Sequence, residues 1–258
     1  MFHGTTIALR ALGPYGGSAP GYRLTTFLLD GETALDAGCL TDALPLTAQR
    51  RVRRVLLTHA HFDHIASLPL LCDNLYGQRR PLEILAPAPV LATLSKDVFN
   101  NRVWPDFTRL PSRARPTLWM RGLAEGKPFR AGALTVTPFA VRHTVPAYGY
   151  LVSKRGRSVL FSGDTRPTDR LWDIACRARN LKAIFLEVSF SDAQEPLALA
   201  SGHFTPRLLR LDLPKAPPRV PIYLYHMKPP SLSRIRREIA ALKEPRVKLL
   251  DSERSFRF

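Results

Sequence analysis

The chain has 258 residues, 45% of them hydrophobic, with 38 Lys and Arg against 21 Asp and Glu for a net charge of +17. That length and composition suit one globular domain over residues 1–258 and argue against a disordered or fibrous chain. No stretch approaches the roughly 20 apolar residues that cross a bilayer, and the three scattered cysteines, Cys39, Cys72 and Cys176, form neither a CxxC zinc pair nor a disulfide framework.

Residues 5–12 and 22–30 alternate as strands around a Gly/Pro-rich turn, so the N-terminus reads as a first strand and not a signal peptide. Reduced thiols and a cytoplasmic location are therefore expected. Asp30-Gly31 between LTTFLL and TALDAG predicts a hairpin. RRVLLTH predicts a strand, FDHIASLPLLCDNLY a helix despite Pro69, LEILAP a strand and APVLATLSKDVFNN a helix. A Pro/Arg-rich stretch at 102–121 follows, then the strands ALTVTPFAV, YGYLVSK and RSVLFSG. TDRLWDIACRA predicts a helix, LKAIFLEVSF a strand, and PLALASG and TPRLLRLDL short helices. The last elements are a strand (VPIYLYH), a helix (SLSRIRREIAALK) and a strand (VKLLD). Hairpins come first and α/β alternation later, without a long linker, which predicts a single α/β domain.

LLTHAHFDHIASLP, residues 56–69, concentrates three of the chain's seven histidines and an aspartate within six positions. In extended chain, alternate side chains share a face, so His59 and His61 point the same way, and Asp63-His64 start the next helix. Imidazole and carboxylate in this spacing are ligands for zinc, manganese or iron. More ligands are needed, and each comes just after an apolar run: His143 in AVRHTVP, Asp164 in VLFSGDT and His226 in IYLYHMKP.

The order HxHxDH, His, Asp, His resembles the metallo-β-lactamase superfamily, which implies an αββα sandwich with a dinuclear centre. By that resemblance His59, His61 and His143 hold one metal, Asp63, His64 and His226 the other, and Asp164 bridges them. The ions implied are two divalent metals, zinc first, with manganese or iron as alternatives. LDAG at 35–38 is similar to the superfamily's early motif, with Asp36 in a structural role. His64 differs from the second-metal pattern of the β-lactamases themselves, and His61 in place of Glu argues against the di-iron redox branch. THAHFDHIASLP, FSGDTRP, LKAIFLEVSF, SGHFTP and YLYHMKP together resemble the class II cyclic-nucleotide phosphodiesterases. Phe62, where that family has Leu, and Val188, where it often has Cys, are departures outside the ligand set.

The resemblance implies hydrolysis of 3′,5′-cAMP, and of cGMP as a further substrate, to the 5′-monophosphate. Two metals about 3.5–4 Å apart would hold the attacking hydroxide and neutralise the phosphodiester charge, with Asp63 counted as catalytic. The 3′ oxygen is a poor leaving group, so a proton donor helps. His203, with Glu187 as its orienting partner, is the candidate, by analogy with RNA-cleaving relatives. Thr205, Arg166 and Lys228 lie beside the expected ligands and are candidate phosphate contacts. The alternatives are a tRNase Z-like RNA-processing endonuclease, which the charge favours, and a hydrolase of cyclic oligonucleotides. The expected partner is thus a small cyclic nucleotide, with nucleic acid possible and a homodimer possible, but no membrane.

Two basic stretches lie outside these motifs. RRVRR at 50–54 ends five residues before His59, about 16 Å of extended chain, so it belongs at the far end of the sheet. The Arg/aromatic stretch 102–121, with Trp104, Phe107 and Trp119, either roofs the site or pins an irregular loop to the core.

Overall fold

A computed structural model describes residues 5–258; the first four positions of the domain lie outside the described residues. The first half of the chain builds one sheet from β1 (Ala8–Gly13), β2 (Thr26–Leu29), β3 (Thr33–Leu35), β4 (Arg54–Leu56) and β5 (Leu82–Ala86). A two-residue hairpin, β6 (Pro111–Ser112) and β7 (Arg115–Pro116), precedes β8 (Leu118–Gly122), which pairs parallel to β5 at the sheet edge. The second sheet follows with β9 (Phe129–Ala131), β10 (Leu134–Ala140), β11 (Tyr148–Lys154), β12 (Arg157–Phe161), β13 (Leu181–Glu187), β14 (Ile222–Tyr225) and β15 (Val247–Leu249), laid side by side in chain order. Finally β16 (Arg254–Arg257) crosses back to pair with β1 in the first sheet.

Period-two alternation decides what each strand face meets. Phe27 and Leu29 of β2, Leu35, Leu56 and Leu85 pack between the sheets against Val136, Val152, Phe161 and Phe185. The alternate residues Leu28, Ala34, Val55 and Ile84 face outward, where Leu40, Leu68 and Leu71 cover them. On the other side, Leu160, Ile184 and Leu224 are covered by Leu171, Trp172, Leu209 and Ile235. Helices therefore flank both sheets in the αββα order. No helix among the described residues is long and apolar enough to cross a membrane.

Several expected elements are placed differently. His59 and His61 lie in a loop after β4, which ends at Leu56, instead of on the strand itself. FDHIASLPLLCDNLY is two helices, Phe62–Ile65 and Leu68–Asn74, broken ahead of Pro69, whose missing N–H is harmless only in a helix's first turn. The helix from Ala88 widens into a π-turn over Leu94–Val98. The stretch 102–121 is pinned at Phe107, which is buried, and at Trp104, which packs on the outer core, whereas Trp119 is half exposed on β8, two strands removed from β4.

β3, β4 and β5 run parallel, as do β12, β13, β14 and β15. The carboxyl ends of these strands share one rim of the sandwich, and loops leaving them can converge there.

Candidate metal centre

The loop after β4 supplies His59 and His61, and the short helix Phe62–Ile65 that follows it supplies Asp63 and His64; the β10–β11 loop supplies His143; and the turns after β12 and β14 supply Asp164 and His226. Ligand-capable atoms of His59, His61 and His143 lie within 4.8 Å of one another, as do those of Asp63, His64 and His226. Asp164 groups with His59 and His64 in the same way. Its Oδ2 is 3.8 Å from His59 Nε2, 3.2 Å from His64 Nε2 and 3.0 Å from His226 Nε2. The fold thus brings together all seven side chains singled out in the sequence.

The hydrogen bonds around this cluster fix which nitrogen each imidazole turns inward. The single proton of the Thr25 hydroxyl goes to the Tyr15 carbonyl at 3.1 Å, so His226 Nδ1–H donates to Thr25 Oγ1 at 2.6 Å. The Thr58 hydroxyl donates to Asp36, so it accepts from His59 Nδ1–H at 3.0 Å. His64 Nδ1–H donates to Asp36 Oδ2 at 2.7 Å, and His143 Nδ1–H to the Gly202 carbonyl at 3.0 Å. Four imidazoles therefore present Nε2 to one space. His61 turns Nδ1 inward, 3.1 Å from His143 Nε2.

Those inward atoms have no use for one another. Nε2 of His59, His64 and His226 and Oδ1 of Asp164 are buried without a hydrogen-bond partner; the short approaches to Asp164 lack hydrogen-bond geometry. An unsatisfied buried polar group costs about 1–3 kcal/mol, and four in one cluster mark a place for cations. Ligand atoms about 2.0–2.1 Å from a tetrahedral ion stand roughly 3.4 Å apart, close to the 3.1 Å between His61 and His143. Outer partners that hold the non-ligating nitrogen are what metal-binding imidazoles require. The residues present fit divalent metal ions.

The electrostatics agree. Burial, and then the adjacent His64, hold His59 well below the ordinary histidine range, so it stays neutral. Burial also opposes a charge on His64, yet Asp164 and Asp36 outweigh it and hold the imidazole well above its ordinary value. Burial resists ionisation of Asp164, but His226 and His64 keep its carboxyl well below the usual range. Two buried carboxylates thus demand positive charge, which a cation would supply in place of the proton on His64.

Beside the cluster, Glu187 Oε1 accepts from His203 Nδ1 at 3.0 Å and from the backbone N–H groups of Thr165 and Phe204. Ser189 donates to Glu187 Oε2 at 2.9 Å and sits 3.0 Å from His203 Nδ1. His203 lies close enough to His143 and Asp164 to form a further group with them. Burial lowers the His203 pKa, but the charge and hydrogen bond of Glu187 prevail and raise it.

The candidate substrate contacts divide. Lys228 Nζ is 3.3 Å from Asp63 Oδ2 and donates to the Gly16 carbonyl. Arg166 is exposed on the same turn as Asp164. Thr205, by contrast, is fully buried and its hydroxyl accepts from Leu208 N at 3.3 Å, capping the helix Pro206–Asp212. It supports the His203 loop from beneath and does not reach the opening. Phe62, between two ligand-bearing positions, is 76% exposed.

Sequence reasoning passed over Thr25, Thr58, Ser189 and Gly202. Thr58 and Ser189 stood in the motifs already quoted, one and two positions from His59 and Glu187. Thr25 carried no local signal, since 201 positions separate it from His226.

The β-lactamase superfamily domain matches residues 27–222. A probable 3′,5′-cyclic-nucleotide phosphodiesterase of Yersinia pestis is 27% identical over 85% of this chain and 77% of its own length. Ribonuclease Z of Bacillus subtilis is 23% identical over 60% of this chain and 64% of its own. The crystal structure of unliganded yeast PDE1 superposes with a TM-score of 0.78 at 19% identity, covering 95% of this chain and 97% of that one. The resemblance to class II cyclic-nucleotide phosphodiesterases drawn from the sequence blocks fits these matches. With its αββα sandwich and its buried His/Asp cluster, the chain belongs to the β-lactamase superfamily, as a metal-dependent hydrolase.

Proposed function

We propose that the protein hydrolyses 3′,5′-cyclic nucleotides, cAMP first, to nucleoside 5′-monophosphates. The observation that carries this reading is the similarity to the probable 3′,5′-cyclic-nucleotide phosphodiesterase of Yersinia pestis across most of the chain, with the Glu187–Ser189–His203 relay beside the ligand cluster as the proton donor. His59, His61 and His143 would hold one divalent ion and Asp63, His64 and His226 a second, with Asp164 placed to serve both. When bound, such a pair supplies a nucleophilic water at neutral pH and neutralises the phosphodiester charge.

The chain's own residues do the rest. Glu187 holds Nδ1 of His203, leaving Nε2 to hand a proton to the departing 3′ oxygen. Lys228 and Arg166 pair with phosphate oxygens at the opening. The exposed ring of Phe62 offers a face on which the base stacks. Zinc suits the histidine-rich set, with manganese or iron as substitutes.

The second reading, an RNA-processing endonuclease, is favoured by the charge of +17 and the ribonuclease Z relative. A chromatographic assay of zinc- or manganese-loaded protein on 3′,5′-cAMP, with a pre-tRNA in parallel and Asp63→Ala as control, separates the two. Metal-dependent 5′-AMP, lost in the variant, is the expected result. RNA cleavage without 5′-AMP would transfer the protein to the nuclease reading, and full activity of Asp63→Ala would remove the dinuclear mechanism.

A further inference from the structure

The end of the sandwich opposite the metal centre is a basic face. It is built from the segments that lead into the parallel strands and from the turns between hairpin strands. Arg50, Arg51 and Arg53 lead into β4, and Arg79 and Arg80 into β5. The β9–β10 and β11–β12 hairpins add Arg130 and the run Lys154-Arg155-Gly156-Arg157.

Three clefts divide this face. One of about 650 Å³ opens between the two turns and carries Arg130, Lys154 and Arg155. A second of about 520 Å³ carries Arg53, Arg79 and Arg80. A third of about 450 Å³ carries Arg50 and Tyr76 and shares Gln78 with the second. Arg54, next to Arg53, reaches across to the first, its guanidinium 3.0 Å from where a side chain on Gly132 would begin. Arg54, itself paired with Glu83, thus stands beside the first cleft, the second and third meet at Gln78, and no carboxylate lines any of the three.

Of the acids at this end, Asp30 and Glu83 are paired within the face itself, and Glu32, exposed beside Arg53, meets it through its backbone carbonyl. Asp30 pairs with Lys154 at 2.7 Å and Glu83 with Arg54 at 3.0 Å. Among the described residues, Arg50, Arg53, Arg79, Arg80, Arg130 and Arg155 make no ion pair. Unpaired like charges gathered on one face destabilise the free protein and attract a polyanion. Arginine's planar fork pairs with phosphate oxygens two at a time. The cations line open, shallow depressions along which a flexible phosphodiester strand can lie. Tyr76, 54% exposed beside Arg50, adds a ring for base stacking.

We propose that this face binds the phosphodiester backbone of a single-stranded nucleic acid. The site is separate from the metal centre, about 16 Å of extended chain away from it. It does not depend on which phosphodiester the centre hydrolyses.

The test is fluorescence anisotropy of a labelled 20-nucleotide single strand with the full chain, titrated at several salt concentrations, the probe's integrity being checked on a gel. The triple variant Arg53→Ser/Arg79→Ser/Arg80→Ser is run beside the unaltered protein, as is Arg130→Ser/Arg155→Ser. Unchanged unfolding temperature and unchanged turnover of bis(p-nitrophenyl) phosphate show that fold and centre are intact. The triple variant is expected to bind at least 10-fold more weakly at 100 mM salt. Its salt slope should fall by about 2 units, as three lost phosphate contacts on a single strand require. Equal affinity and slope in both variants, no binding of the strand at all, or capture of phosphatidylserine vesicles in preference to the strand would each overturn the proposal.

Discussion

Asp36 never reaches the opening of the centre, yet it holds His64 Nδ1 at 2.7 Å and both the backbone and the hydroxyl of Thr58. Through them it sets the orientation of two imidazoles. Asp36→Asn should lower metal affinity about 10- to 100-fold with little change in fold, measured as metal retained after dialysis against a graded chelator. Phe62→Ala tests the opposite kind of residue, exposed and free of structural duty. Removing one base-stacking ring worth about 1–3 kcal/mol should raise KM for cAMP about 5-fold or more while kcat stays within a few-fold. A drop confined to kcat would move Phe62 into the chemistry. At this scale the ligand set was legible because histidine is rare in the chain and crowded where it matters. What orients it was not: Thr25 and Gly202 are ordinary residues whose roles exist only after remote segments meet.

The loop that joins the helix Glu195–Ser201 to His203 depends on Gly202. Its φ of +76° lies in the left-handed region, and a Cβ there would stand 2.8 Å from His143 Nδ1. Its carbonyl also accepts from that same nitrogen. Gly202→Ala should cost about 1–3 kcal/mol of stability through backbone strain. Metal content should fall with it, because His143 must shift; denaturant unfolding and metal analysis read the two effects. Most long, strongly patterned elements were legible, since both sheets draw on alternating or wholly apolar runs. β16 was not: two of its four residues are arginines, as suits an edge strand facing water. Only its inward Phe256, edge-on to Tyr223 and Phe185, marks it as part of the core. Pro69 was read as tolerated within one helix, whereas the chain restarts a helix around it.

The two sheets are held face to face by an aromatic cluster in which Phe27 lies 5.2 Å from Phe161, 5.4 Å from Phe185 and 5.1 Å from Tyr225. Phe27→Ala should cost about 3–5 kcal/mol, seen as a lower denaturant midpoint at unchanged slope. Burial pushes the Cys39 thiol from 9.0 up to about 11. A raised pKa contributes stability that is complete below the unfolded value and is lost as pH rises through the folded one. Stability should therefore fall between pH 9 and about 11, and Cys39→Ala should flatten that fall in a series of thermal melts. The far-end basic face shows what composition could and could not convey: an excess of cations was plain in the sequence, but their gathering required the starts of β4 and β5 and two hairpin turns to lie at one end of the sandwich. At the other rim, His59, His61, Asp63 and His64 come from the first half of the chain and His143, Asp164 and His226 from the second. Neither half alone contains a complete ligand set. A cation seated there is a cross-link between halves that otherwise meet through apolar contact, so unfolding is coupled to its release. The melting temperature should climb with free metal concentration, by about 2.7 kcal/mol of added stability at a hundredfold excess over Kd, and chelation should let the rim open while the aromatic middle of the sandwich stays closed.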